Sequence, residues 1–150
     1  MYWLIQLFQS YYFVSFFIAW ILSCIIKSFT RSHQKGGKYN FRYGFQNGGM
    51  PSSHSASVTS IVVAIGYVDM TASGVLSRSF YVALVLALIV VSDAFGVRKN
   101  IGQQGDMLNQ LLKKYRKDPI KVVYGHTFLQ VIAGMILGVL VSSLMYYVFF

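Results

Sequence analysis

The chain has 150 residues, of which 55% are hydrophobic and 11% charged, and it carries a formal net charge of +9. A mean hydropathy of +0.54 is too high for an ordinary soluble domain, so the chain reads as one integral membrane domain over residues 1–150. The single cysteine, Cys24, excludes an intramolecular disulfide framework, and no haem, nucleotide or zinc spacing is present, so neither metal nor cofactor is expected.

A helix that crosses a bilayer needs about 20 mostly apolar residues. Four stretches qualify or come close, over about 2–26, 51–68, 79–96 and 126–150. The fold class expected is therefore an all-α membrane protein with four transmembrane helices. The first stretch has no basic leader and no small-residue cleavage pattern after it, so it reads as retained structure, with Cys24 an inert buried thiol.

Next comes a basic loop carrying Lys27, Arg31, Lys35, Lys38 and Arg42. His33 lies in it and reads as solvent-exposed. Gly48 and Gly49 then allow a tight turn, and Pro51 suits the first turn of the second span, where its missing N–H costs nothing. A short turn over Asp69 to Ser77 leads to the third span, which ends at Asp93 and Arg98. The second basic loop holds Arg98, Lys99, Lys113, Lys114, Arg116, Lys117 and Lys121. Within it Met107, Leu108, Leu111, Leu112 and Tyr115 recur at helical spacing, which marks a cytoplasmic amphipathic segment between the third and fourth helices, lying in the membrane interface. In the fourth span Gly134 and Gly138 form a GxxxG pair that permits close helix contact. Four spans make little wall around a polar pocket, so self-association as a homo-oligomer is expected.

Twelve of the 13 Lys and Arg residues fall in the two long loops, with Arg78 apart. The positive-inside rule puts those loops in the cytoplasm and both termini on the non-cytoplasmic side of the cell (inner) membrane. Tyr2, Trp3, Tyr146 and Tyr147 suit an aromatic belt on the outer surface. Cations confined to membrane-adjacent loops favour anionic lipid headgroups as partner and argue against nucleic acid.

Two histidines stand where such loops enter apolar spans: His54 in GGMPSSHS and His126 in GHT. Each has free helix N-terminal amides and cations nearby, which is the outline of a phosphate site. Interfacial placement alone would explain either one; their shared side and shared neighbours favour a ligand role. Ser52 and Ser53 can cap the helix or touch the ligand. Asp93 borders a span, where an ionisable group is costly and usually functional; it can orient a histidine or pair with Arg98.

The blocks GGMPSSHSA, DAFGVRKNIG with Leu108 and Asn109 after it, and GHTFLQV occur in that order. Together they resemble the divergent membrane family related to type 2 phosphatidic acid phosphatases and vanadium haloperoxidases. The resemblance covers Lys27 to Gly138. It implies that His54, in the place of the histidine of a PSGH block, is the general acid, and that His126 is the nucleophile. Lys35 and Arg42 reproduce the spacing of a KxxxxxxRP block, with Tyr43 in place of proline; Lys27 is an equal candidate for the phosphate ligand. Gln130 stands four residues after His126 where the superfamily has aspartate, and Ile120 where it has arginine. Arg98, Lys99 and Asn109 complete the phosphate-contact candidates.

The resemblance and the residues together imply a metal-independent membrane phosphatase. It would hydrolyse a lipid phosphate or isoprenoid pyrophosphate at the cytoplasmic face through a phosphohistidine on His126, with Arg98 and Asp93 supplying the missing clamp and carboxylate. A catalytically silent protein that binds anionic lipids is the alternative, favoured by neutral Gln130.

Overall fold

The computed structural model describes residues 2–46 and 48–150, with the side chains of Tyr2, Trp3, Leu4 and Phe95 outside the description. The described elements are helical, without a strand. They are α1 (Tyr2–Gln9), α2 (Tyr11–Gln34), α3 (Ser53–Ala72), α4 (Arg78–Phe95), α5 (Val97–Lys114) and α6 (Phe128–Phe149), plus a 3-10 turn over Phe41–Phe45. Helices α2, α3, α4 and α6 are long and apolar enough to cross a membrane.

The first apolar stretch is broken. Ser10 takes an extended conformation between α1 and α2, and α2 then runs eight residues beyond Ile26. Lys27 and Arg31 thereby stand on a helix and not in a loop. Helix α3 begins at Ser53 behind its N-cap Ser52, so Pro51 lies two residues before the first helical one and outside the first turn. The proposed aromatic belt is described only at its far end, where the rings of Tyr146 and Phe150 stack; the Tyr2 and Trp3 rings lie outside the described side chains.

Small residues let α2, α3 and α6 approach closely. Ala19, Ala56 and Val131 are fully buried, together with Ser15, Ser23, Ser60 and Ser142. A Cβ on Gly134 would strike the carbonyl of Ser52, and one on Gly138 that of Ala56. The GxxxG pair is thus occupied inside the chain, against α3, and offers no surface to a second copy. At the end of this seam remote from the histidines, the Tyr11 hydroxyl donates to the Ser142 carbonyl at 2.8 Å.

Helix α4 is peripheral, packing on α3, and its Val82, Val85, Leu88 and Ile89 are exposed. At Gly96, where ψ is −88°, α4 gives way to α5. The amphipathic segment expected between the third and fourth spans is therefore a helix of 18 residues. The chain returns from it along 120–125, held on one face of α5. Asn109 Oδ1 accepts from the Ile120 N–H at 2.8 Å and its Nδ2 donates to the Ile120 carbonyl at 3.1 Å. Farther along, the Tyr124 hydroxyl donates to Asp106 at 2.6 Å.

Candidate functional site

The two histidines are brought together by main-chain bonds. The Ser52 N–H donates to the Gln130 carbonyl at 2.9 Å and ties the start of α3 to the start of α6. The His126 N–H donates to the Ala94 carbonyl at 2.9 Å, which fixes the same point to the end of α4. Both rings line one cavity of about 130 Å³ with Lys27, Ser53, Arg98 and Tyr124. A second cavity, about 210 Å³, shares His54, Arg98 and His126 but has apolar walls at Ile89, Val90 and Ala94. The site thus opens both toward the loops and between the helices.

Helix α3 starts with Ser52 as its cap. Its hydroxyl accepts from the Ser55 N–H at 3.4 Å and pairs with the Ser55 hydroxyl at 2.9 Å, so this serine is committed to the helix start. Ser53 instead accepts from Lys27 Nζ at 3.2 Å. Lys27 is 2% exposed and has no acidic neighbour within ion-pair distance among the described residues, so its charge is open to an anion in the cavity. Gly49, at φ +88°, lets the chain fold over this lysine: a Cβ there would meet Lys27 Cγ at 3.1 Å and Arg31 Cδ at 3.2 Å.

His126 stands just before Thr127, the N-cap of α6. Gln130 closes a capping box there: its Oε1 accepts from the Thr127 N–H at 3.1 Å while its own N–H donates to the Thr127 hydroxyl. The same Oε1 lies 3.1 Å from His126 Nδ1. Because the Thr127 bond fixes Oε1 as the acceptor, the tautomer with its proton on Nδ1 donates to Gln130 and leaves the lone pair on Nε2. Burial pushes the His126 imidazole below the ordinary histidine value. The charges of Lys27 and His54 act in the same direction, opposed by the Gln130 bond and a backbone bond at Gly49. Burial thus favours the neutral ring, and the Gln130 bond orients it.

Asp93 Oδ2 accepts from Arg98 Nε at 2.6 Å across the Gly96 break. Its carboxylate fixes the guanidinium that lines both cavities; its hydrogen bond goes to the arginine and not to an imidazole. Of the other candidates, Lys35 stacks on the Tyr43 ring at 4.5 Å and Arg42 is exposed on the 3-10 turn, so Lys27 is the first-loop cation that reaches the cavity. Lys99 is exposed on α5, outside both cavities. Asn109 is spent on the Ile120 backbone. Sequence reasoning missed Tyr124, two residues before His126, and the Trp20 and Phe45 rings that wall the cavity. Trp20, Cys24 and Lys27 recur at helical spacing, and that period was the available signal.

Four apolar helices with two imidazoles, Lys27 and Arg98 lining a cavity at one end define a helical membrane protein with a basic pocket. The chain belongs to the Divergent PAP2 family, whose model matches residues 8–141. It is also similar to a protein of Bacillus subtilis (strain 168) named "Uncharacterized membrane protein YuiD", at 30% identity over 119 residues, covering 68% of this chain and 73% of that one. No solved structure matches the chain.

Proposed function

We propose that this protein is a metal-independent phosphatase that hydrolyses a lipid phosphate or isoprenoid pyrophosphate at the cytoplasmic face of the cell membrane, with both chain ends on the opposite side. The observation that carries the reading is the His126–Gln130 bond, which leaves Nε2 as a nucleophile inside a cavity shared with His54, Lys27 and Arg98. Nε2 attacks phosphorus, forming a P–N bond as the ester P–O bond breaks, and His54 gives its proton to the leaving oxygen. Water then attacks the phosphohistidine while His54 takes back a proton; the P–N bond breaks and phosphate leaves. Arg98, Lys27 and the Ser53 hydroxyl stabilise the transferring group electrostatically. The substrate's tail leaves past Ile89 and Val90 toward the bilayer.

The test is phosphate release by purified protein in detergent with chelator present, over a panel of lipid phosphates. His126→Ala is expected to lose at least a thousandfold in rate, and His54→Ala on the order of 10²–10⁴. Equal rates in all three proteins would sink the catalytic reading. Gln130 supports a second reading, a silent anionic-lipid binder, because a neutral amide orients the imidazole but does not stabilise its developing charge as a carboxylate does. That reading predicts lipid retained through purification with no phosphate released from it.

A further inference from the structure

Helix α5 has three distinct faces, and only one is partnered within the chain. Gly102, Gly105, Asp106 and Asn109 receive the returning segment: a Cβ on Gly105 would lie 2.8 Å from Val122 Cγ1, and one on Gly102 would lie 3.0 Å from the Tyr124 ring. About 120° around the helix, Val97, Ile101, Leu108, Leu111 and Tyr115 form an apolar stripe in which every residue is at least 44% exposed. The third face is polar. At the helix end Lys113, Arg116 and Lys117, with Asp106, line an open cleft of about 680 Å³ on the side of the helix away from the stripe and outside the histidine site.

The helix end is closed by two backbone bonds, Lys117 N–H to the Leu112 carbonyl at 2.9 Å and Arg116 N–H to the Lys113 carbonyl at 3.1 Å. The turn puts Arg116 at φ +52°, a conformation that glycine adopts without strain. An arginine kept there places a third cation on the cleft at a conformational cost.

We propose that α5 docks on the surface of the bilayer that its neighbours cross, its apolar stripe in the interface of an anionic leaflet and its terminal cations drawn to the charge of that leaflet. Two observations select this occupant. The helix is tied at one end to α4 and, through the returning segment, to the start of α6, so it stays beside one membrane face. Its end carries three cations against the carboxylate of Asp106 and the whole chain carries +9, which complements an anionic leaflet and repels the same helix end on a second copy.

The experiment uses the full chain in nanodiscs, with a fluorophore on Leu108→Cys or, on the polar face, Gln103→Cys; Cys24 is buried and stays unlabelled. Lipids bearing a nitroxide high on the acyl chain are the quencher. In discs containing phosphatidylglycerol the label at 108 is expected to be quenched about threefold more than that at 103. Replacing Lys113, Arg116 and Lys117 with Gln should lower the docked-to-free ratio by on the order of a hundredfold, seen as a higher phosphatidylglycerol requirement. Equal quenching at the two positions overturns the proposal. So does a triple variant with the native phosphatidylglycerol dependence, or an unquenched label at 108 with energy transfer between two copies in one disc, which would mean a second copy covers the stripe. The readout needs no turnover: His126→Ala should dock as the native chain does, so failure of the phosphatase reading leaves this result standing.

Discussion

The site joins two regions built to different standards. Lys27, Ser53, His54 and Gln130 stand on α2, α3 and α6, which meet along small buried residues with backbones in contact. Asp93 and Arg98 stand where α4 meets α5, on a helix that leans on α3 and exposes most of its apolar surface. Close packing forfeits contact energy when atoms are displaced by a few tenths of an ångström, whereas a lipid-facing side chain has interchangeable neighbours. The seam therefore sets geometry, and the outer helix contributes a charged pair, Asp93 and Arg98, at its edge.

The largest effect expected is on the seam. Gly138→Val drives a branched side chain into the Ala56 carbonyl and should destabilise by about 1–3 kcal/mol or more, seen as a lower unfolding temperature in detergent. Arg98→Ala should separate the two regions the other way, leaving that temperature unchanged while kcat/KM for phosphate release falls on the order of 10²–10³-fold. Full turnover by this variant would remove the clamp from the mechanism.

Gln130→Glu sharpens the contrast within the seam itself. Glutamate keeps the capping box and adds a carboxylate beside His126 Nδ1. In the proposed mechanism His126 attacks as the neutral imidazole, so the rate should fall as pH drops through its pKa. In the native protein burial depresses that pKa, and the acid limb should lie below about 6.5. In the variant the carboxylate favours the imidazolium, moving the limb up by about one pH unit while kcat rises. An unmoved limb would mean that the limb does not report His126. The smallest effect is expected for Leu88→Ala on exposed α4, within about 0.5 kcal/mol in the same unfolding measurement.

The four apolar helices and the amphipathic segment were legible because length and periodicity are local properties. The histidines were legible because glycine, proline and serine mark helix starts in the sequence itself. The break at Ser10 was not, since Tyr2 to Ile26 is apolar on both sides of it. The choice of Lys27 over Lys35 and Arg42 depended on where α2 ends, and an apolar count stops at the first charge while the helix continues. Asn109 lies away from both cavities for another reason: its partners are main-chain atoms of Ile120, 11 residues away, and backbone groups leave no mark on residue identity. Asp93 was correctly matched with Arg98 as one of two options, and distance decided between them.

The bond from Ser52 to Gln130 joins two main-chain atoms. No side-chain replacement deletes it, short of proline at position 52, so variants that fold keep the starts of α3 and α6, and with them His54 and His126, side by side. Substitutions at the walls, Trp20, Phe45, Ile89 and Val90, can therefore reshape the two cavities while the histidines stay where the backbone puts them.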